Sequence, residues 1–121
     1  MQLLIVDDDM EAAELLGTFL RQNGHQTTIK YTAEDGIKAI AEKRPDAVFL
    51  DIMLPDRNGI EVLKSIKSTD PEMPVIMVTG FKDAENVVNA FREGSLDCLL
   101  KPFNYDYLKN DILPKIPLRR K

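Results

Sequence analysis

Apolar runs of four or five residues recur along this chain, and most of them end at polar or turn-forming residues. Short runs of this kind are typical of strands buried in a parallel sheet. The pattern predicts strands at 3–6, 47–51, 75–78 and 96–100, with a threonine-rich strand at 25–31.

The segments between these strands carry apolar residues at the three- and four-residue spacing of amphipathic helices. Asp9 and Thr32 are the predicted N-caps of the first two helices. A third helix follows the next loop, a fourth covers 84–93, and a fifth starts near Asn104 and ends at or before Pro114. The predicted inward-facing residues are Ala12, Leu15, Leu16, Phe19 and Leu20; Ile37, Ile40 and Ala41; Ile60, Leu63 and Ile66; Ala84, Val87, Val88 and Phe91; and Tyr105, Leu108 and Ile112.

Strict alternation of strands and helices predicts right-handed β-α-β units with helices on both faces of a parallel sheet. The expected fold class is therefore α/β, a doubly wound sheet of five strands with five helices in a three-layer sandwich. We expect the flavodoxin-like strand order 2-1-3-4-5, in which the first and third strands are neighbours.

Composition limits the number of domains, the partners and the cellular location that this chain can have. The chain has 121 residues, enough for one domain, and is 44% hydrophobic and 30% charged, as in globular domains. Its net charge of −4 gives no electrostatic basis for direct nucleic-acid binding. The single cysteine, Cys98, rules out an internal disulfide and fits a reducing compartment. No signal peptide or membrane span is visible, so we expect a cytoplasmic protein that does not insert into membranes.

Polar residues stand where four of the predicted strands end. Asp7 and Asp8 follow the first strand, Asp51 ends the third, Thr79 ends the fourth and Lys101 follows the fifth. The carboxyl ends of parallel strands form one edge of the sheet, where ligands collect. We therefore expect the three carboxylates to converge in one cleft, with the hydroxyl and the ammonium group nearby.

Carboxylates crowded into one cleft repel each other unless a cation is present. Mg²⁺, which prefers oxygen ligands and retains waters, fits best, with Mn²⁺ as an alternative. The charges of three carboxylates, the divalent ion and Lys101 cancel, so such a cleft can accept a phosphoryl group. Attack by a carboxylate on phosphorus would give an aspartyl phosphate, and the Thr79 hydroxyl can donate a hydrogen bond to a phosphoryl oxygen.

Four segments together resemble the receiver domains of two-component response regulators. They are Leu4-Ile5-Val6-Asp7-Asp8-Asp9, Phe49-Leu50-Asp51-Ile52-Met53-Leu54-Pro55 with Gly59 following, Val78-Thr79-Gly80, and Leu100-Lys101-Pro102-Phe103. Each segment alone is weak, but all four occur in this order at predicted strand ends. The resemblance covers nearly the whole chain.

The resemblance implies a role for each matching residue. Asp51 is the expected phosphoacceptor, and Asp8, Asp51 and the backbone carbonyl of Met53 are expected to bind Mg²⁺, with Asp7 assisting through a metal-bound water. Thr79 and Lys101 are expected to contact the phosphoryl group. A cis bond before Pro102 is expected to place Lys101.

The same resemblance implies a signalling switch that is not a turnover enzyme, although it promotes its own phosphorylation and dephosphorylation. The expected donor is a partner histidine kinase or phosphotransfer protein. The surface of the fourth helix, fifth strand and fifth helix is expected to change on phosphorylation and to act on an output domain or protein, with a homodimer as one form of output.

Cys98 departs from the family pattern, and Met53 and Phe81 lie at two positions that influence the lifetime of the phosphoryl group. Receivers usually carry Tyr or Phe three residues before the lysine, where this chain has Cys98, so coupling through an aromatic side chain is not expected here. Met53 and Phe81 lie two residues after the acceptor and after Thr79, where side chains flank the path of hydrolytic water in the family. Both are apolar, which predicts slow loss of the phosphoryl group.

The proline-containing end suggests a domain boundary. We assign 1–113 to the receiver domain and 114–121 to a C-terminal tail or the start of a linker, as in a receiver cut from a longer regulator such as a transcription factor. Two other functions remain open from the residues alone. One is a Mg²⁺-dependent phosphatase, which would need an acid where Met53 stands, and the other is an interaction module that has lost phosphorylation.

Overall fold

The computed structural model describes residues 1–80 and 84–117, without the side chains of residues 84–86. Over these residues the strands are β1 (Gln2–Val6), β2 (Gln26–Lys30), β3 (Ala47–Asp51), β4 (Val75–Gly80) and β5 (Asp97–Lys101). The α-helices are α1 (Met10–Gln22), α2 (Ala33–Glu42), α3 (Gly59–Thr69), α4 (Ala84–Arg92) and α5 (Tyr105–Tyr107).

The sheet is parallel throughout its described pairings and has the order β2-β1-β3-β4-β5. This confirms the predicted fold class and strand order. Successive residues of a strand point to opposite faces of the sheet, so Leu4 and Val6 pack against one layer and Leu3 and Ile5 against the other. The first layer contains α2, α3 and α4, and the second contains α1 and the C-terminal helical segment.

Side-chain caps define where the helices begin. Asp9 accepts a hydrogen bond from the Ala12 N–H at 3.1 Å, and Thr32 accepts one from the Asp35 N–H at 3.1 Å. Both predicted N-caps are therefore confirmed. Such caps satisfy backbone donors that have no partner within the first turn of a helix.

Among the predicted inward-facing residues whose side chains are described, which excludes Ala84, four do not face inward. Leu15, Val88 and Phe91 are 52%, 51% and 50% exposed, and Ala41 is also exposed. In α1 and α4 the fully buried positions include the small residues Ala13 and Ala90, which let the helix backbones approach the sheet closely. The larger apolar side chains on the adjacent face of each helix point toward the surface. A helix that packs on one flat sheet can bury only one of two adjacent apolar faces.

The helix α5 ends at Tyr107, before Pro114 as predicted. After α5 the chain continues through a π-helical turn (Leu108–Ile112) and a 3₁₀ turn (Leu113–Lys115). Pro114 lies in the first turn of the 3₁₀ segment. Proline is tolerated there because the N–H groups of a first turn form no hydrogen bond within the helix. Of the segment assigned to a tail, Ile116 is buried against the α1 layer. The domain boundary at residue 113 stays a prediction.

A buried carboxylate at the start of β5 fastens this C-terminal segment. Asp97 is 5% exposed and accepts hydrogen bonds from the Tyr107 hydroxyl and from the Lys115 ammonium group, each at 2.7 Å. It also accepts one from the Cys98 N–H at 2.7 Å. Burial raises the pKa of Asp97, but these donors outweigh it and hold the pKa below its ordinary value.

In the part of the chain that the structure describes, no helix is long and apolar enough to span a bilayer.

Candidate functional site at the carboxyl edge of the sheet

The strand register brings the predicted polar residues to one edge. Val6 pairs with Leu50, so Asp7 and Asp51 are the next residues along neighbouring strands. Asp51 in turn pairs with Val78, which places Thr79 one step further on β4. Gly80 pairs with Lys101 at the end of β5. The convergence expected from the strand order is therefore confirmed.

The three carboxylates form a compact group. Each of Asp7, Asp8 and Asp51 has a carboxylate oxygen that lies within 4.8 Å of the corresponding oxygens of the other two. Asp7 and Asp51 are 2% and 5% exposed, whereas Asp8 is open to solvent. The Asp7 carboxylate also accepts a hydrogen bond from the Asp9 N–H at 3.0 Å, which fixes its orientation at the start of α1.

Lys101 forms ion pairs inside the cleft. Its ammonium nitrogen lies 2.8 Å from Asp7 Oδ2 and 3.6 Å from Asp51 Oδ2. Burial lowers the pKa of Lys101, but the hydrogen bond from its ammonium group to Asp7 and the charges of Asp51 and Asp7 outweigh it and raise the pKa above its ordinary value. The lysine therefore remains a cation in the cleft.

Asp51 has a strongly perturbed carboxyl group. Burial and the negative charge of Asp7, to which it is also hydrogen bonded, raise the pKa of Asp51 to about 7. Lys101 and the Met53 N–H, which donates to Asp51 Oδ1 at 3.2 Å, act in the opposite direction but do not compensate. The acidic cleft thus has more negative charge than one lysine neutralises.

The donor set fits a hard divalent cation. Three carboxylates in one cleft provide oxygen ligands of the kind that Mg²⁺ prefers, and the exposed side at Asp8 leaves room for retained waters. A cation bound there would relieve the repulsion that raises the pKa of Asp51. The residues present therefore match the metal expected from the sequence.

The remaining predicted residues surround the carboxylates. Thr79 is 1% exposed, and its hydroxyl donates to the Gly80 carbonyl at 3.2 Å. The Lys101-Pro102 bond is cis, as the resemblance implied. The Met53 side chain is 63% exposed. Phe81 lies outside the described residues.

Cys98 is buried, as expected for a small apolar side chain. It is 9% exposed, is a free thiol and packs in the core layer that contains α3 and α4. Burial and the charge of Asp97 raise the pKa of Cys98 to about 11, which makes the thiol a poor nucleophile at neutral pH. The place where receivers usually carry an aromatic ring is thus occupied by an inert, tightly packed side chain.

Gly59 matters more for the site than its position in a turn suggests. Its N–H donates to the Ile52 carbonyl at 2.7 Å. A Cβ built on Gly59 would overlap the Asp51 carbonyl oxygen and lie 2.6 Å from the Ile52 α-carbon. Because both neighbours are backbone atoms, only glycine allows α3 to begin against the end of β3.

Two carboxylates escaped the sequence analysis. Asp56, in the loop after β3, accepts hydrogen bonds from the N–H groups of Ala33 and Glu34 at 2.9 and 3.1 Å. Asp97 binds the C-terminal segment, as described above. An aspartate inside the otherwise apolar run at 96–100 was a usable sign of a buried hydrogen-bond network. Nothing local marks Asp56, because its partners are 23 and 22 residues away in sequence.

Comparison with known proteins places this geometry in a family. The model of the response regulator receiver domain matches residues 3–113. The transcriptional regulatory protein ZraR of Salmonella typhimurium is 33% identical over 112 residues, which are 93% of this chain and 25% of ZraR. The DNA-binding response regulator MtrA of Mycobacterium tuberculosis is 38% identical over 102 residues, covering 84% of this chain and 44% of MtrA. The chain thus spans a quarter to just under half of these relatives.

Solved structures agree with the sequence matches. The receiver domain of NtrX from Brucella abortus superposes with a TM-score of 0.90 at 34% identity, over 94% of this chain and 97% of that one. A CheY-like response regulator receiver domain protein from Methanospirillum hungatei gives a TM-score of 0.87 at 33% identity, over 95% and 92% of the two chains. This chain belongs to the response regulator receiver domain family of two-component signalling.

Proposed function

We propose that this receiver domain is a phosphorylation-dependent switch in which Asp51 takes the phosphoryl group, in a reaction that requires Mg²⁺ or Mn²⁺. The single observation that carries the proposal is the cluster of Asp7, Asp8 and Asp51 with Lys101 paired to two of its members. This cluster holds an acceptor, a cation site and a fixed positive charge within one cleft.

In the proposed reaction an oxygen of the Asp51 carboxylate attacks phosphorus. The new P–O bond forms as the P–N bond of a phosphohistidine donor breaks, and the imidazole nitrogen keeps the electron pair of that bond. A bound divalent cation supplies charge stabilisation for the phosphoryl oxygens. Asp8, Asp51 and the Met53 carbonyl would hold it directly, with Asp7 acting through a water.

Lys101 and Thr79 have complementary parts in this reaction. The Lys101 ammonium group, now within 2.8 Å of Asp7 and 3.6 Å of Asp51, is placed to neutralise charge on a phosphoryl oxygen. The Thr79 hydroxyl would donate to another oxygen in place of its bond to the Gly80 carbonyl. The cis bond before Pro102 belongs to the turn that follows Lys101.

We propose that the output face comprises α4, β5 and α5. Val88 and Phe91 on α4 and Leu100 on β5 are 51%, 50% and 45% exposed, which supports a partner-binding role for this side of the domain. The partner is an output domain or protein, as the names of the transcriptional relatives suggest, or a second copy of this chain. The donor is a histidine kinase or phosphotransfer protein. The chain's only cysteine is a free thiol, which supports a cytoplasmic location.

Mass spectrometry of the intact protein tests this proposal. Incubation with acetyl phosphate and Mg²⁺ should add one phosphoryl group, and chelation of the cation should prevent the addition. Asp51→Asn should abolish the adduct, whereas Asp46→Asn, which changes an aspartate at the opposite end of β3, should not. A phosphoryl adduct that persists in Asp51→Asn would refute the assignment of Asp51. Continuous release of phosphate without an adduct would indicate a phosphatase instead.

A further inference from the structure

The loop between β3 and α3, residues 52–58, carries the backbone carbonyl of Met53. Its two ends are tied together, because the Gly59 N–H donates to the Ile52 carbonyl at 2.7 Å and Met53 forms an antiparallel bridge with Asn58. The middle of the loop, Pro55 to Arg57, is exposed. Leu54 also seats the loop on the core that contains Val6 and Ala33, but none of these contacts holds the exposed tip at residues 55–57.

Asp56 holds this tip in place. One carboxylate oxygen accepts a hydrogen bond from the Ala33 N–H at 2.9 Å, and the other accepts one from the Glu34 N–H at 3.1 Å. These two donors belong to the first turn of α2, where backbone N–H groups have no helical partner. The hydrogen bond from Ala33 is the main cause of a pKa of Asp56 below its ordinary value, so the group accepts as a carboxylate.

The start of α2 is a firm anchor for the loop. Ala33 is fully buried, and Thr32 caps the same turn by accepting from the Asp35 N–H. Gly36 packs so closely on Val6 that a Cβ there would lie 2.7 Å from a Val6 methyl group. Val6 directly precedes Asp7, so α2 rests on the strand that delivers the first carboxylates of the cleft.

We infer that Asp56 is a positioning residue for the cation site, because its two hydrogen bonds to the start of α2 hold the loop that presents the Met53 carbonyl. This inference rests on the proposed function, since it assigns a role to the loop only if the cleft binds a cation. Asp56 itself touches neither the cation nor the phosphoryl group. It links the loop after β3 to the helix that packs on Val6, the residue before Asp7, and so holds the loop in a fixed position relative to β1.

Titration calorimetry with magnesium chloride tests the inference on three variants. Asp56→Ala removes both acceptors and should weaken Mg²⁺ binding about tenfold, a change equivalent to about 1.4 kcal/mol. Asp56→Asn keeps one acceptor oxygen and should fall between Asp56→Ala and wild type. Asp35→Ala is the matched control, because it removes one negative charge from the helical turn that Asp56 contacts but leaves the loop unchanged. It should bind Mg²⁺ within about twofold of wild type.

Amide hydrogen exchange in the metal-free protein gives a second readout. The Ala33 and Glu34 amides should lose protection in Asp56→Ala and keep it in Asp35→Ala. Equal Mg²⁺ affinity in Asp56→Ala and wild type would overturn the inference, even with altered exchange, because the role of Asp56 would then be confined to capping α2. If wild type binds Mg²⁺ and Asp51→Asn weakens that binding while the Asp56 variants do not, only this inference fails. If wild type does not bind Mg²⁺, the proposed function fails with it.

Discussion

Gly59 packs its α-carbon directly against the backbone of Asp51, so closely that a Cβ would overlap the Asp51 carbonyl oxygen. The first residue of α3 and the last residue of β3 therefore share one packing contact. The contact fixes where the acceptor strand ends relative to the following helix. A substitution at Gly59 is therefore expected to affect both the stability of the fold and the position of the Asp51 carboxylate.

Gly59→Ala should both destabilise the domain and slow phosphorylation of Asp51. Moving backbone atoms apart in a packed region costs about 1–3 kcal/mol, and the displaced atoms belong to Asp51 and Ile52. Urea unfolding and the rate of adduct formation from acetyl phosphate measure the two effects.

Gly24→Ala is the matched control for that variant. Gly24 has a φ of +88°, and no atom lies within 4 Å of the place a Cβ would take, so alanine is strained there without touching the site. It should lose stability by about 1–2 kcal/mol and phosphorylate at the wild-type rate. A Gly59→Ala protein that is less stable but reacts normally would show that the contact does not position Asp51.

The stability of the metal-free protein should depend on pH through Asp51. The folded-state pKa is about 7, above the ordinary value of 3.8, so the folded state binds more protons than the unfolded state between these values. The free energy of unfolding should therefore fall as pH rises from about 4 to about 7 and level off above that. The cause is burial of the carboxylate beside Asp7.

Urea unfolding across this pH range, compared between wild type and Asp51→Asn, isolates the effect. Asp51→Asn should lose the decline and be more stable than wild type at pH 8. Saturating Mg²⁺ should stabilise wild type more at pH 8 than at pH 5, because protons compete with the cation at low pH. Parallel pH profiles for the two proteins would contradict the pKa assigned to Asp51.

Met53→Asn should shorten the lifetime of the phosphoryl group. The Met53 side chain is 63% exposed next to Asp51 and offers an attacking water only the weakly accepting thioether sulfur. An amide there can orient water, so we expect loss of the adduct about tenfold faster, equivalent to about 1.4 kcal/mol in the barrier. Decay of the intact mass after removal of acetyl phosphate gives the rate.

Met53→Leu keeps an apolar side chain and should decay like wild type. A slower decay in Met53→Asn would refute the idea that apolarity at this position protects the phosphoryl group. The corresponding expectation for Phe81 remains a prediction from the sequence.

Cys98→Tyr should leave phosphorylation intact and change partner binding or dimerisation. Cys98 is 9% exposed in a packed core layer, so the larger ring should also cost about 1–3 kcal/mol unless it turns outward. Adduct formation, thermal unfolding and sedimentation of the phosphorylated protein measure these effects. Cys98→Ala controls for loss of the thiol. Unchanged output in Cys98→Tyr would count against a readout role for this position.

The sequence predicted the strand order, the caps Asp9 and Thr32 and the convergence of Asp7, Asp8, Asp51 and Lys101. The alternation of strands and helices determines the fold class, whose usual strand order is 2-1-3-4-5. Capping residues mark where the helices begin, and the residues that follow the predicted strands are those that meet at the carboxyl edge of the sheet.

What the sequence did not reveal depends on contacts between distant segments. The exposure of Leu15 and Phe91 could not be predicted, since apolar periodicity does not say which of two adjacent stripes meets the sheet. The bonds from Asp56 to the start of α2 join segments more than 20 residues apart, and no local pattern encodes them. The close approach of Gly59 to Asp51 is likewise visible only in three dimensions.

The two outer strands of the sheet also bear on aggregation. β2 and β5 each have five residues, and β2 ends in Lys30. At its other end β5 carries Asp97, whose bonds to Tyr107 and Lys115 bring the C-terminal segment to that strand. Short, charged edges are poor templates for strand addition by another chain. The same Asp97 that orders the C-terminal segment thus helps to keep crowded copies of the folded domain from joining edge to edge.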